Sequence, residues 1–318
     1  MHGQKPFLVK MTPLISFIIT YHNEPEAMLR ACVESILALP LSAEEAEIIV
    51  VDDGSDSPLR LPYGGEKIQN SKFKIQSIRQ EQAGLSVARN TGISHAQGQY
   101  IQFVDADDCL IPSAYEAVIE QVRREEADVV LFRMTTASHQ PSPKEREMSR
   151  SNSLPLWRGS GMQFLQYRNL RAAACAYVFR RDILGELRFY PDLLHEDELF
   201  TPLLFLKVES LCELDVKAYF YRQHEGTITH SDTPEKIQKR LNDIHYIIKQ
   251  LQSLKEPLLE RHLRQLTVDY LQNTLTLTHS PQELRKRIRE LRTESLLPLP
   301  LRRYSMRYLF VASTVNLL

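Results

Sequence analysis

The chain carries no charge excess: 39 Lys and Arg face 40 Asp and Glu over 318 residues, so no overall field argues for a nucleic-acid partner. Any electrostatic specialisation must be local. Cysteine is scarce, and Cys32, Cys109, Cys175 and Cys212 form neither a Cys-x-x-Cys pair nor a zinc-type spacing. A reduced cytosolic setting is expected. No apolar run approaches the ~20 residues needed to span a bilayer; the longest C-terminal candidate, Tyr308 to Leu318, is far too short. Leu14 to Thr20 leads directly into polar Tyr21 to Glu24 with no cleavage pattern, and so reads as a strand, not a signal peptide. Glycine is missing between Gly3 and Gly54. That removes the Gly-x-Gly-x-x-Gly turn of a dinucleotide-dependent oxidoreductase, and it argues against the glycine-rich triphosphate loop of a sugar-phosphate nucleotidyltransferase. The sequence shows neither internal repeats nor low-complexity tracts.

What is present is an α/β pattern. The 43% hydrophobic content is enough for one full core plus a second region. Over the first 135 residues, short β-branched runs alternate with helical stripes, as in parallel strands joined by crossover helices. The expected strands are Leu14–Thr20, Glu47–Val51, Lys74–Ile78, Tyr100–Val104 and Asp128–Phe132. Met28, Leu29, Cys32, Val33, Ile36 and Leu37 make one helical stripe after Pro25, while Ser113 with Glu116 predicts a capping box ahead of Tyr115, Val118, Ile119 and Val122. Thr135 to Pro155 reads as a surface loop. A helix with apolar Leu199, Phe200, Leu203 and Leu204 follows, then a strand at Val216 to Tyr221. From Pro234 onward the spacing is helical, with Ser280, Pro281 and Glu283 capping a further helix.

In a parallel sheet, ligands bind beyond the carboxyl ends of the strands. Three expected strands end in polar clusters: Thr20-Tyr21-His22-Asn23-Glu24, Asp52-Asp53-Gly54-Ser55 and Asp105-Ala106-Asp107-Asp108. A single acidic strand end is commonplace, but three on one edge ask for a ligand. Carboxylates this close repel unless a cation or donor neutralises them. Magnesium or manganese, bridging Asp107 to a diphosphate, fits that chemistry. A helix-opening acidic cluster before Ile111 is the plain alternative.

These residues resemble the family 2 glycosyltransferases of GT-A fold over roughly 14–135: Ser16–Thr20 with Asn23-Glu24, Ile48 to Ser55, Gly84 to Gly92, and Gly98 to Ile101 leading into Phe103 to Asp108. The resemblance implies that Thr20, His22 and Glu24 border the base and ribose, that Asp53 bonds the base, that Asp105 touches the ribose and that Asp107 holds the metal. Where many relatives place tyrosine, this chain has His22. Gly84 and Ser86 open a helix whose N-terminus faces phosphate, with Arg89 nearby as a phosphate contact or a structural ion pair. The Glu196-Asp197 pair resembles the family's acidic motif, which makes Asp197 the base and Glu196 its support or an acceptor contact. Arg222 and His224 follow a strand, as in many bacterial relatives, and would serve the diphosphate and the metal.

The resemblance implies an inverting transfer from a UDP-sugar to a hydroxyl of a saccharide or lipid-linked acceptor, with manganese or magnesium, in cell-surface polysaccharide synthesis. A catalytically inactive nucleotide-sugar or carbohydrate-binding module is the alternative. The expected architecture is a GT-A-like, Rossmann-like, mostly parallel sheet in a catalytic domain over 1–230, its nucleotide half about 12–135 and its acceptor half about 136–230. A helical region follows over 231–318. Residues 285–308 hold eight basic side chains against two acidic ones, interleaved with leucine and tyrosine. They read either as a helix packed on the core or as a peripheral contact with the inner membrane face.

Overall fold

The structure is a computed structural model that describes residues 12–59, 72–124, 127–137, 155–223 and 233–317. Two compact units interleave along the sequence. One comprises Met1–Trp157, Cys175–Leu184 and Cys212–Arg222; the other comprises Arg158–Ala174, Gly185–Leu211 and Gln223–Leu318.

The first unit contains β1 (Ile15–Tyr21), α1 (Glu26–Leu37), β2 (Ala46–Asp53), β3 (Lys74–Gln80), α2 (Leu85–His95), β4 (Tyr100–Asp105), the short β5 (Cys109–Leu110), α3 (Pro112–Arg123) and β6 (Val129–Ala137). β7 (Pro155–Gly159) comes next, and after α4 (Gly161–Tyr167) of the second unit come β8 (Tyr177–Arg180), α5 (Asp197–Phe205, second unit) and β9 (Leu211–Arg222). The sheet runs β3-β2-β1-β4-β8-β6-β9-β5, with β7 on β9. β3, β2, β1 and β4 are parallel, whereas β8 pairs antiparallel with both β4 and β6. The parallel half is apolar on both faces: Ile15, Phe17, Ile18, Ile19, Ile48, Ile49, Val50 and Val51 are all 0% exposed. This is the pattern of strands covered on both sides, and each such side chain contributes roughly 1.5–3 kcal/mol by leaving water.

All five expected strands form. The loop expected from Thr135 is shorter at both ends, because Thr135–Ala137 finish β6 and Pro155 opens β7; residues 138–154 lie outside the described residues. The expected capping box at Ser113 does not start its helix. α3 begins at Pro112 with Ile111 in the N-cap position, since proline's fixed φ suits the first turn. Its stripe of Tyr115, Val118, Ile119 and Val122 is buried as expected.

The second unit adds α6 (Pro234–Ser253), α7 (Glu260–Thr278), α8 (Pro281–Thr293) and α9 (Met306–Leu317). α7 packs against α6, α8 and α9. Ser280 caps α8 by accepting from the Glu283 N–H, as its sequence signature requires. The 285–308 stretch is not one continuous solvent face. Arg287 is buried between Glu283, at 2.8 Å, and Glu290, at 3.4 Å, and Leu296, Leu297, Leu299 and Tyr308 are core. The four cysteines are free and buried. Among the described residues no helix is long and apolar enough to cross a membrane.

Candidate functional site

Strand register brings the polar ends together in the first unit. Thr20 stands between Val51 and Asp105, Tyr21 is opposite Asp52, and Asp53 is opposite Gln80. Chain reversal after β2 depends on Gly54, at φ +69°, where a Cβ would lie 2.5 Å from the Gln82 amide nitrogen. Only glycine tolerates both the conformation and the approach.

Asp52 and Asp53 divide the work of holding this edge. Asp52 accepts from the Ser55 N–H at 2.9 Å, the Leu59 N–H at 3.2 Å and Arg79 at 2.7 Å. Burial alone would raise its carboxyl, but these donors outweigh burial and leave it below the usual range. Asp53, 5% exposed, accepts from Gln80 Nε2 at 2.7 Å, Ala83 N–H at 2.9 Å and Gly84 N–H at 2.8 Å. A carboxylate has about four acceptor positions, so one is left for a ligand. Asp53 therefore also builds the loop into α2, whose N-cap Gly84 sits at φ +88°. Sequence reading gave it only the base contact.

His22 donates through Nδ1 to the Asp53 carbonyl at 2.8 Å, which fixes the tautomer and leaves Nε2 to accept from Gln82 at 3.2 Å. The Glu24 carboxylate accepts from the His22 N–H. Burial, and then the charge of Asp107, push the Glu24 carboxyl up, whereas the His22 bond works in the opposite direction.

Arg89, 4% exposed, reaches Asp105 Oδ1 at 3.1 Å and lies 5.6 Å from the Phe103 ring centroid. It is thus an ion-pair partner of Asp105. The turn after β4 is tied to β9 by Tyr219, a residue with no role in the sequence reading. The Tyr219 hydroxyl accepts from the Asp105 N–H at 3.1 Å and donates to Asp108 Oδ2 at 2.7 Å, while Arg222 N–H reaches Asp108 Oδ1 at 2.8 Å. Burial, then Asp105 and Asp107, drive the Asp108 carboxyl well above its ordinary value. Strand alternation in β9 gave no signal for Tyr219: it shares the parity of Glu213, Asp215 and Lys217, which are not buried, and yet is itself fully buried.

Among the described residues no three His, Cys, Asp or Glu side chains group as a metal cage. His224 lies outside the described residues. A magnesium or manganese ion brought with a diphosphate needs only one or two carboxylates. After burial, Asp107 raises the carboxyls of both Glu24 and Asp108, a negative field of the kind such an ion offsets. Two donors also stand ready at this edge among the described residues: Ser86 Oγ, 2% exposed, and Arg222 Nε, in a side chain 9% exposed, have no hydrogen-bond partner. Buried donors without partners are rare, and phosphate oxygens satisfy them.

The second unit holds Glu196 and Asp197. His195 takes a left-handed φ of +61°, Glu196 is the N-cap residue and Asp197 begins α5, where the helix dipole favours a carboxylate. The approach to the helix is fastened to α6, with Leu194 N–H donating to Asp243 at 2.9 Å and Lys239 bridging Asp192 and Asp243 at 3.1 Å each. Burial, then Arg240, lower the His195 ring. Pro202 sits inside α5 and has no N–H for the carbonyl of Glu198, four residues back. His262 of α7 supplies that bond: its Nε2 lies 3.0 Å from the Glu198 carbonyl, which can only accept, and 3.3 Å from Glu198 Oε2. Sequence reading gave neither Glu198 nor His262 a role. The proline within the expected helix was the signal for a substitute donor.

Residues 16–188 match the model of Glycosyl transferase family 2. The uncharacterized glycosyltransferase EpsJ of Bacillus subtilis (strain 168) is 28% identical over 301 residues, covering 88% of this chain and 84% of its own. The uncharacterized glycosyltransferase YibD of Escherichia coli (strain K12) is 29% identical over 252 residues, covering 76% and 70%. Among solved structures, S. aureus TarS 1–349 in complex with UDP-GlcNAc has a TM-score of 0.65 at 20% identity, covering 95% of this chain and 90% of that one. The mannosyltransferase PcManGT from Pyrobaculum calidifontis, in complex with GDP-Man and Mn2+, has a TM-score of 0.55 at 14% identity, covering 96% and 87%. At these identities the structures speak for the fold, which is GT-A: a mixed α/β sheet flanked by helices, with further helices toward the C-terminus.

Proposed function

Because this chain belongs to glycosyl transferase family 2, we propose that it moves one sugar from a UDP-sugar to a hydroxyl of a saccharide or lipid-linked acceptor, with inversion, in cell-surface polysaccharide synthesis. The catalytic domain is taken as 1–230, with nucleotide half about 12–135 and acceptor half about 136–230, and the helical region as 231–318. The observation that carries the reading is the edge formed by Asp53, Asp105 and Asp107, together with the buried unpartnered donors of Ser86 and Arg222. Thr20, His22 and Glu24 border the nucleotide, the free acceptor position of Asp53 reads the base, and Asp105, oriented by Arg89, meets the ribose. Gly84 and Ser86 open α2 toward phosphate, and Arg222 pairs with diphosphate oxygens.

Asp107 would hold manganese or magnesium, with His224 as a second ligand, and the bound ion would neutralise charge on the departing diphosphate. Asp197 takes the proton of the acceptor hydroxyl as its oxygen bonds to the anomeric carbon, and the bond from that carbon to the diphosphate oxygen breaks, leaving its electron pair on UDP. Glu196, 5% exposed, supports the base from the N-cap position. A peripheral membrane contact would bring a lipid-linked acceptor within reach.

UDP release from a panel of UDP-sugars, UDP-GlcNAc included, measured with manganese, tests this. Asp197→Asn should lower turnover about 10³-fold, within the range for a general base, and leave UDP affinity unchanged. Unchanged turnover removes Asp197 as the base. Binding of the donor without UDP release by the wild type would instead indicate an inactive module.

A further inference from the structure

The last described helix, α9, is apolar on two opposite sides. At 3.6 residues per turn Tyr308, Ala312 and Val315 share one face, and they are 1%, 0% and 5% exposed. Met306, Phe310, Ser313 and Leu317 share the other, at spacings of four, seven and eleven from the first. This side is open: Met306 is 65% exposed, Phe310 74% and Leu317 88%, while Leu301 just upstream is 63% exposed. Ten large apolar residues stand exposed among the described residues, and four of them lie between Leu301 and Leu317. A helix needs one apolar face to pack on its unit, so a second, concentrated stripe marks a contact surface.

The charge beside it narrows the partner. From Ser295 onward the sequence has three arginines, Arg302, Arg303 and Arg307, and no acidic residue. Arg307 is engaged by Asp269 at 2.8 Å. Arg302 and Arg303 are exposed and make no ion pair among the described residues. A second copy docked here would set Arg302 and Arg303 against their own kind, and Asp269 is already engaged by Arg307. Anionic headgroups over an acyl layer match both features at once. We propose that the stretch from Leu301 to Leu317 docks on an anionic lipid bilayer, with Leu301, Met306, Phe310 and Leu317 entering the acyl boundary and Arg302 and Arg303 at the phosphates. The inference places the peripheral contact of the proposed function, and rests on that reading only in linking the bilayer to a lipid-linked acceptor.

Flotation of the full chain tests it, using phosphatidylcholine vesicles with about one third phosphatidylglycerol and vesicles of phosphatidylcholine alone. The wild type should float with the anionic vesicles at low salt, about tenfold less with the neutral ones, and less again at high salt. Met306→Ser with Phe310→Ser, and separately Arg302→Glu with Arg303→Glu, should each weaken flotation about tenfold or more. All four side chains face solvent, so the thermal midpoint should stay at the wild-type value. A wild type that remains in the soluble fraction, or a serine variant that floats like wild type, overturns the proposal. So does a wild-type dimer on size exclusion that the serine variant converts to monomer. UDP release in vesicle-free solution should be the same in both variants, so failure of docking and failure of the transferase reading are told apart.

Discussion

Asp53 and Glu198 are both acidic side chains beside a turn, yet the two units hold them by opposite means. Asp53 is saturated from three sides, two of its donors being backbone N–H groups of the loop it organises. Glu198 is half-buried, with no such set of amides. Burial, then the charges of Asp197 and Asp269, drive its carboxyl well above the ordinary range, and its neighbour His262 is pushed down to about 4 by burial. The sheet edge thus fixes its carboxylate with three donors, whereas burial in the helical unit favours the protonated form of its acid. One arrangement is a set of fixed donors; the other is an acid and a histidine that burial pushes toward their neutral forms.

The largest effect should come from the sheet edge. Asp53→Ala removes three hydrogen bonds to a buried carboxylate and leaves the Ala83 and Gly84 amides without their acceptor. A loss of about 4 kcal/mol or more in urea unfolding is expected, since bonds to charged groups contribute roughly 1.5–3 kcal/mol each and are only partly additive. A loss below about 1 kcal/mol would mean that the loop into α2 holds itself, and that Asp53 serves the ligand alone.

The second prediction concerns pH and sharpens the contrast. In the unfolded chain His262 titrates near 6.5 and Glu198 near 4.5. Folding shifts the two in opposite directions: buried Glu198 keeps its proton to higher pH than the unfolded glutamate does, and buried His262 gives its proton up at lower pH than the unfolded histidine. Their contributions to the pH slope of stability therefore have opposite signs and offset one another in the wild type. Glu198→Gln leaves His262 alone. Its folded value of about 4 then makes stability fall as pH drops from 6.5 toward 4, by roughly 3 kcal/mol for a shift of that size, and be fully present above 6.5. His262→Leu should do the reverse: stability is highest at low pH and declines as pH rises above 4.5, because the folded carboxyl keeps a proton that the unfolded one has lost. Urea midpoints from pH 4 to 7 for the three proteins check both signs. Parallel curves would dissolve the pair.

The same contrast explains what the sequence disclosed. The parallel strands were legible because covered strands read as unbroken runs such as Ile48 to Val51, and the acidic ends announced themselves by following such runs. β8 and β7 were not, since Tyr177–Arg180 and Pro155–Gly159 are too short to show alternation. Candidate site residues carried by one motif were visible as candidates. Those that work by pairing across long sequence gaps were not: Tyr219 with Asp105 and Asp108, 114 and 111 residues apart, and His262 with Glu198, 64 apart. Local spacing holds no record of a partner that only the fold supplies.

Tyr219 gives the smallest and most selective expected effect. Tyr219→Phe keeps the ring among its buried neighbours and deletes one oxygen, so the Asp105 N–H loses its acceptor and Asp108 loses a donor. The cost should be about 2 kcal/mol, the penalty for unmade buried bonds, less whatever Asp108 recovers from the Arg222 N–H that remains. If the hydroxyl positions the turn that carries Asp107, the KM for the UDP-sugar should rise several-fold with kcat little changed, because the loss falls on binding shared by ground and transition states. A stability loss with KM unmoved would make Tyr219 a brace for the sheet alone, and the first unit's edge would then hold its carboxylates without help from β9.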